Sequence, residues 1–220
     1  MTKFKRVDPE ISRRKFVNWA LGISAGISGL GFLSIVGSAR PANRQTPDKL
    51  GPVPGDILVH AEGEKTGQPV SVAELERNPV RAYPQGKDKS GKAFLRQGDQ
   101  QTNLVGISKF PETELGTATN KQAAPQGIVA YSLVCQHLGC QVNWRNADQT
   151  LLCPCHSGDY DMRNGAKVLG GPPPRPLAQL PLRVDGDNLV VAATFLTPPY
   201  GVAEGDFEQY KQRVEEASKA

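Results

Sequence analysis

The sequence is short of several residue types, and each shortage limits what the chain can be. Only 6% of its 220 residues are aromatic and 38% are hydrophobic, which suits a modest, loop-rich core. Its 23 glycines and 18 prolines exceed average usage, so we expect many turns and few long helices. Cysteine occurs four times, always between residues 135 and 155. Such clustering indicates one local cross-linked or metal-bound site and not a disulfide framework spread over the whole fold.

An excess of positive charge is missing from most of the chain. The formal net charge is +4, from 26 basic and 22 acidic residues. Six basic residues but only Asp8 and Glu10 precede Phe16, so the remainder is neutral. A neutral remainder without a basic stripe is not typical of nucleic-acid binding, and we expect no nucleic-acid partner.

The amino-terminal part carries the one long apolar stretch. Arg13 and Arg14 stand before Val17 to Val36, about twenty residues that would span roughly 30 Å as a helix, the thickness of a bilayer core. The cationic flank predicts that residues 1–15 stay in the cytoplasm and that the bulk of the chain lies outside. The arginine pair resembles a twin-arginine signal, a bacterial export address.

The apolar stretch permits two outcomes. The small residues Gly37-Ser38-Ala39 form a possible cleavage site, which would leave a soluble protein. Twenty residues is long for a cleaved signal, so the interpretation adopted is a retained transmembrane anchor over residues 16–39. We therefore expect a single-pass protein of the bacterial cell membrane with an extracytoplasmic head.

The remaining chain predicts an all-β head of antiparallel sandwich or barrel type. Residues 40–55 are rich in Pro and Gly and indicate a linker. Short β-rich runs bounded by turn residues follow over residues 56–200, with a hairpin signal at residues 185–188. Residues 201–220 form a charged tail, either a surface helix or a frayed end.

Two short motifs carry the chemistry. The stretch CQHLGC begins at Cys135 and CPCHSG begins at Cys153. Thiolates and imidazoles bind borderline and soft metals, so the motifs offer a set of two sulfur and two nitrogen ligands: Cys135, His137, Cys153 and His156. The two other cysteines, Cys140 and Cys155, are placed so that a disulfide could join the two ligand loops.

Two simpler interpretations compete with this site. Zinc prefers Cys-x2–4-Cys pairs, whereas these pairs mix cysteine with histidine and leave two cysteines over. Two structural disulfides with incidental histidines would not explain why two of only three histidines lie in the motifs. The third, His60, lies in a strand pattern and is interpreted as an ordinary surface or core residue.

With these motifs, Tyr160-Asp161 and the segment GGPPPRPL from Gly170 to Leu177, the sequence resembles the Rieske iron–sulfur proteins of quinol-oxidising cytochrome bc complexes. The resemblance implies a [2Fe–2S] cluster with Cys135 and Cys153 on one iron and His137 and His156 on the other. Such ligation raises the reduction potential into the range of about −150 to +300 mV. It further implies an inserted cluster-binding subdomain over residues 133–177, a Cys140–Cys155 disulfide, a hydrogen bond from Tyr160 to a cysteine sulfur, and shielding by Leu138, Pro172, Pro173 and Pro174.

The resemblance also implies a function. An exposed ligand imidazole, His156 with His137 beside it, would accept a proton and an electron from quinol at cytochrome b, and the electron would pass to a c-type cytochrome. One residue departs from the family pattern: relatives of higher potential have a serine where this chain has Gly158, and here Ser157 precedes it. Losing that hydrogen bond to the cluster should lower the potential, which suits a quinol such as menaquinol.

Other Rieske functions are weighed by counting residues. A Rieske oxygenase needs two further histidines and a carboxylate for its catalytic iron, and only His60 remains. A soluble Rieske ferredoxin lacks an anchor and normally lacks the extra cysteine pair. The alternative that stays open is the Rieske small subunit of another exported oxidoreductase, such as an arsenite oxidase. In either case the enzyme is the complex, because this chain alone has no complete active site.

Overall fold

The structure is a computed structural model that describes Lys15, residues 17–19, Leu21, residues 46–98 and residues 101–219. The predicted twin-arginine motif, most of the predicted anchor over residues 16–39, the possible cleavage site and residues 40–45 lie outside the described residues. Within the described part of the chain, no helix combines the length and the apolar character that crossing a membrane requires.

Eleven strands in the described residues form two sheets, and every pair of neighbouring strands is antiparallel. The strands are β1 (Ile57–His60), β2 (Val80–Lys87), β3 (Ala93–Leu95), β4 (Val105–Lys109), β5 (Ile128–Ser132), β6 (Asn143–Arg145), β7 (Thr150–Leu152), β8 (Asp159–Asp161), β9 (Lys167–Gly170), β10 (Leu182–Asp185) and β11 (Asn188–Val191). The larger sheet has the order β10-β11-β1-β2-β4-β5, with β3 added to β2, and the smaller has the order β6-β7-β8-β9. The prediction of an all-β, antiparallel head is confirmed.

The larger sheet closes into a barrel. Hydrogen bonds from Ser132 N to Ala178 O and from Leu180 N to Ala130 O, both 2.9 Å, join the outer edge of β5 to the segment that enters β10. The predicted hairpin at residues 185–188 connects β10 to β11 and is confirmed by the pairing of Asp185 with Asn188. Because β5 is paired with this segment, its outer edge is not open to pairing with strands of other molecules.

Strand β5 divides the interior into two hydrophobic cores. Successive side chains of a strand point to opposite faces, and all five residues of β5 are buried. Ile128 and Ala130 belong to the core inside the barrel, whereas Val129 and Tyr131 belong to a second core. The second core lies between the barrel wall and the smaller sheet, whose strands are inserted in the sequence between β5 and β10.

The carboxyl-terminal residues form helix α1 (Phe207–Ser218), so of the two alternatives for the charged tail the structure has a helix. Phe207, Tyr210 and Val214 of this helix are buried in the barrel core. Their spacing of three and four residues places them on one helix face. Between residues 46 and 219, the described part of the chain also has short 3-10 turns at Pro47–Lys49, Val72–Glu74, Glu112–Glu114, Lys121–Ala123, Pro125–Gly127 and Glu204–Asp206.

Residues 46–55, the described part of the predicted linker, are held on the barrel by a buried ion pair. Arg96 Nε donates to Asp56 Oδ2 at 2.7 Å, and both side chains are almost completely buried. A second nitrogen of Arg96 donates to Pro47 O at 2.7 Å, and Asn103 donates to Leu50 O at 2.6 Å. The described part of the predicted linker is therefore bound to the barrel. Polar groups from the barrel replace the water that would otherwise solvate this backbone.

Replacing Arg96 by Met should destabilise the protein by about 3–5 kcal/mol, because the Asp56 carboxylate stays buried without its partner. Burial already raises the pKa of Asp56, against the hydrogen bond from Val53 N and the charge of Arg96. Without Arg96 the pKa of Asp56 rises further. As pH falls, Asp56 becomes protonated in the folded variant and the buried charge disappears, so the loss of unfolding free energy relative to wild type should shrink.

Urea unfolding at several pH values measures this effect. The matched control is Arg183→Met, which breaks the exposed Arg183–Asp185 pair and should cost less than about 1 kcal/mol. Equal losses in the two variants would contradict the role given to the buried pair.

Candidate metal centre

The two motifs fold into loops with the same backbone hydrogen bonds. In the first loop, Cys135 N donates to Cys140 O at 2.8 Å and Gly139 N donates to Cys135 O at 3.0 Å. In the second, Cys153 N donates to Gly158 O at 2.7 Å and Ser157 N donates to Cys153 O at 3.1 Å. Each loop is therefore a tight turn that opens with a cysteine and closes five residues later.

The fifth residue of each loop has a left-handed backbone. Gly139 has φ of +80° and Ser157 has φ of +57°. Glycine tolerates this region at no steric cost, whereas a residue with a Cβ is strained there by about 1 kcal/mol or more. Ser157 thus occupies the position for which glycine is suited, and the strain is held by the turn around it.

A disulfide joins the two loops. Cys140 and Cys155 are bonded, with their Cα atoms 6.5 Å apart. The sulfur of Cys153 lies within 4.8 Å of both of these sulfurs, but the disulfide removes Cys140 and Cys155 as thiolate ligands. The two cysteines that open the loops, Cys135 and Cys153, are free and each is only 1% exposed.

The thiol of Cys135 lies against Tyr160 at the floor of the site. The hydroxyl of Tyr160 is 3.2 Å from Cys135 Sγ and accepts a hydrogen bond from Gln136 N, also at 3.2 Å. Burial raises the pKa of Cys135, with Cys153 adding to the increase and Tyr160 opposing it. Burial and the neighbouring Cys135 raise the pKa of Tyr160, so its hydroxyl stays protonated and can donate to the sulfur.

The two histidines lie on the outer side of the buried thiols. The ring centroids of His137 and His156 are 4.7 Å apart and the rings are nearly perpendicular. His156 is exposed and His137 is half-buried. The Nδ1 atom of His137 is buried and has no hydrogen-bond partner among the described residues. An unpaired buried nitrogen is costly, and a metal ion would satisfy it.

The proline-rich segment closes the second loop. A Cβ added to Gly158 would come within 2.6 Å of Pro173 Cγ, and one added to Gly171 within 2.5 Å of Ser157 O. Pro173 is buried, whereas Pro172 is exposed. A serine at position 158 would therefore require the proline segment to move, which gives a structural reason for glycine at this departure from the family pattern.

The structure brings the predicted site residues together on the two loops and the segment that covers them. Leu138 is 61% exposed, so its side chain lies at the surface of the first loop. Two thiols and two imidazoles in adjacent loops fit a site in which one metal has sulfur ligands and a second has nitrogen ligands. Burying two thiolates requires nearby positive charge, which such a metal pair supplies.

Sequence reasoning missed three residues that support these loops: Gln136, Arg175 and Tyr200. Gln136 accepts a hydrogen bond from Arg175 Nε at 2.8 Å. A Cβ on Gly139 would come within 2.5 Å of the Tyr200 ring. Gln136 and Arg175 lie inside the motifs CQHLGC and GGPPPRPL, so their place in the sequence could have indicated a role at the site. Tyr200 lies far along the chain and had no local signal.

Comparison with known proteins points to one family. Residues 113–181 match the family model described as the Rieske [2Fe-2S] domain. A cytochrome b6-f complex iron-sulfur subunit from Synechococcus sp. is 33% identical over 183 residues, which cover 82% of this chain and 87% of that protein. A Rieske protein of Haloferax mediterranei that is named for a respiratory nitrate reductase is 40% identical over 118 residues, covering 49% of this chain and 53% of that protein.

The first curated relatives are longer than the match, and the chain spans about half their length. Among solved structures, the soluble domain of Rieske protein II from Sulfolobus acidocaldarius aligns with 21% identity over 52% of this chain and 76% of that chain, with a TM-score of 0.39.

Replacing Tyr160 by Phe tests the hydrogen bond at the floor of the site. A bond to a ligand sulfur stabilises the reduced, more negative cluster, so its loss should lower the midpoint potential. A net hydrogen-bond contribution of about 0.5–1.5 kcal/mol corresponds to a fall of about 20–60 mV for one electron. Redox titration measures it, with Tyr83→Phe, a buried tyrosine of β2 outside the loops, as the control. An unchanged potential in Tyr160→Phe would contradict this role.

Proposed function

This chain belongs to the family of Rieske iron–sulfur proteins and carries a [2Fe–2S] cluster, and on that basis we propose that it is an electron-transfer subunit of a quinol-oxidising cytochrome bc complex. The observation that carries the proposal is the asymmetry of the site. The two free thiols are buried, whereas the two imidazoles lie together toward solvent. Electrons can therefore enter through the histidine side.

The proposed ligands are Cys135 and Cys153 for one iron and His137 and His156 for the other. The cluster, when bound, supplies one-electron chemistry at a potential raised by its two neutral imidazole ligands. Tyr160 holds the sulfur of Cys135, and the Cys140–Cys155 disulfide keeps the two loops together. Pro173, packed on Gly158, covers the buried end of the second loop.

The exposed imidazole of His156 is the proposed contact for quinol, with His137 beside it. An imidazole at the rim can accept a hydrogen bond from the quinol hydroxyl and take up its proton as the electron leaves. Leu138 and Pro172, both exposed next to the histidines, offer apolar surface that fits the quinol site of a cytochrome b subunit. Because position 158 has no hydroxyl, the potential should lie in the middle or lower part of the Rieske range, which suits menaquinol.

The proposed arrangement of the chain in the membrane follows from its amino-terminal sequence. A single anchor over residues 16–39 would fix the head on the extracytoplasmic side, where a disulfide is stable. Residues 40–45, which precede the segment held by Arg96, would form the tether. Such a tether lets the head reach cytochrome b and then a c-type cytochrome acceptor.

A second candidate has support from one relative. The Haloferax mediterranei protein is named for a nitrate reductase, and the sequence alone left open a Rieske subunit of another exported oxidoreductase, such as an arsenite oxidase. The same cluster would then receive or deliver electrons at a molybdenum-containing subunit, and the exposed histidine rim would face that subunit instead of a quinol site.

Co-purification separates the two candidates. The full-length chain, tagged at its carboxyl end, is isolated from its own cells in mild detergent, and the sample is analysed for haem b and molybdenum. The proposal predicts haem b in at least equimolar amount and quinol-dependent reduction of a c-type cytochrome. Molybdenum without haem b would reject the quinol function in favour of the second candidate.

Replacing Leu138 by Glu should separate docking from redox chemistry. A leucine buried at an interface contributes about 1.5–3 kcal/mol, so quinol oxidation by the complex should fall about tenfold or more. The cluster's spectrum should not change, because Leu138 is exposed and is not a proposed ligand. Leu196→Glu, an exposed leucine after β11, is the matched control and should retain activity. Full activity of Leu138→Glu would contradict docking through this rim.

A further inference from the structure

Arg175, in the proline-rich segment, joins three parts of the chain next to the metal centre. Its Nε donates to Gln136 Oε1 at 2.8 Å, and Gln136 stands between the proposed ligands Cys135 and His137. Its Nη2 donates to Val202 O at 3.1 Å and more weakly to Pro199 O at 3.4 Å. One guanidinium thus connects the first ligand loop to the segment after β11.

The segment that Arg175 binds is a tight turn lying on the first loop. Val202 N donates to Pro199 O at 3.1 Å, and Gly201 adopts φ of +83°, as this turn requires. The turn presents Tyr200, whose ring packs over Gly139 so closely that no side chain would fit there. The guanidinium is therefore fixed from both sides, by the loop and by the turn.

The charge of Arg175 is not neutralised by its partners. All three acceptors are neutral amide or peptide oxygens, and no described carboxylate forms an ion pair with Arg175. Two nearby arginines differ: Arg145 of β6 is paired with Asp148 and Asp159, and Arg163, between β8 and β9, is paired with Asp161. The side chain is half-buried, so solvent screens its charge only in part.

The position of the charge has a consequence for electron transfer. Reduction adds one negative charge to a [2Fe–2S] cluster, and a nearby positive charge stabilises the reduced form more than the oxidised one. Arginine stays protonated at any working pH, so this effect is permanent. The charge is held beside the first loop by its hydrogen bond to Gln136. In the sequence, Gln136 is the direct neighbour of two of the four proposed ligands, Cys135 and His137.

We propose that Arg175 is a potential-setting residue, whose uncompensated guanidinium raises the reduction potential of the cluster while it holds the first ligand loop against the 199–202 turn. The inference rests on the proposed ligand assignment. It gives the chain a source of positive potential that offsets the missing hydroxyl at position 158. The reduction potential of the cluster is thus set by two opposing features, the charge of Arg175 and the missing hydroxyl at position 158.

The test is a redox titration of the full-length, cluster-loaded protein followed by electron paramagnetic resonance. Arg175→Met and Arg175→Gln remove the charge, and Arg175→Lys keeps it. Arg183→Met, which removes an equal charge from an exposed site on β10, is the matched control. Both neutral variants should show a lower midpoint potential with an unchanged signal shape, whereas Arg175→Lys and Arg183→Met should stay near wild type. The shift should shrink between about 0.05 and 1 M salt, since screening weakens a charge effect.

Several results would overturn the proposal. If a neutral variant had the wild-type midpoint potential, the charge of Arg175 would have no influence on the cluster. An equal fall in Arg175→Lys would show that geometry and not charge is responsible. Loss of the cluster from both neutral variants would leave Arg175 with a purely structural role. Absence of a histidine-ligated signal in the wild type would instead reject the ligand assignment on which the proposed function stands.

Discussion

The site depends on one physical constraint, the burial of two free thiols side by side. Cys135 and Cys153 are each 1% exposed, and burial, with Cys153 beside it, raises the pKa of Cys135. Two thiolates in such a place are stable only with positive charge bound between them, and the unpaired Nδ1 of His137 is a further group that a metal would satisfy. The disulfide, the tyrosine below and the proline segment above all hold this arrangement in place.

The scaffold meets the constraint by using the same tight turn twice. Both ligand loops start from strands or bridges of the second core, and both close on the same pair of backbone hydrogen bonds. The two loops therefore share one backbone pattern, and the position of the histidine distinguishes them: the third residue of the first loop and the fourth of the second. This offset brings the imidazoles edge to face at the rim.

Local features of the site and fold could be predicted from the sequence, and distant contacts could not. The ligand motifs, the hairpin at residues 185–188 and the all-β class follow from spacing and turn residues within a few positions of each other. The clamp between Asp56 and Arg96 joins residues 40 positions apart, and Tyr200 meets Gly139 across an even longer separation. The composition of the Pro- and Gly-rich stretch predicts a linker throughout, yet its described part is bound by Arg96 and Asn103, because side chains from the barrel satisfy its carbonyls.

The most direct test of this account is pulsed electron paramagnetic resonance of the dithionite-reduced, full-length protein, prepared with and without 15N-labelled histidine. The account predicts a rhombic signal on reduction, with two strong nitrogen couplings that change with the label because His137 and His156 bind one iron. A reduced signal without histidine nitrogen couplings, or a metal-loaded protein that gives no signal, would contradict the assignment of the cluster to these four residues.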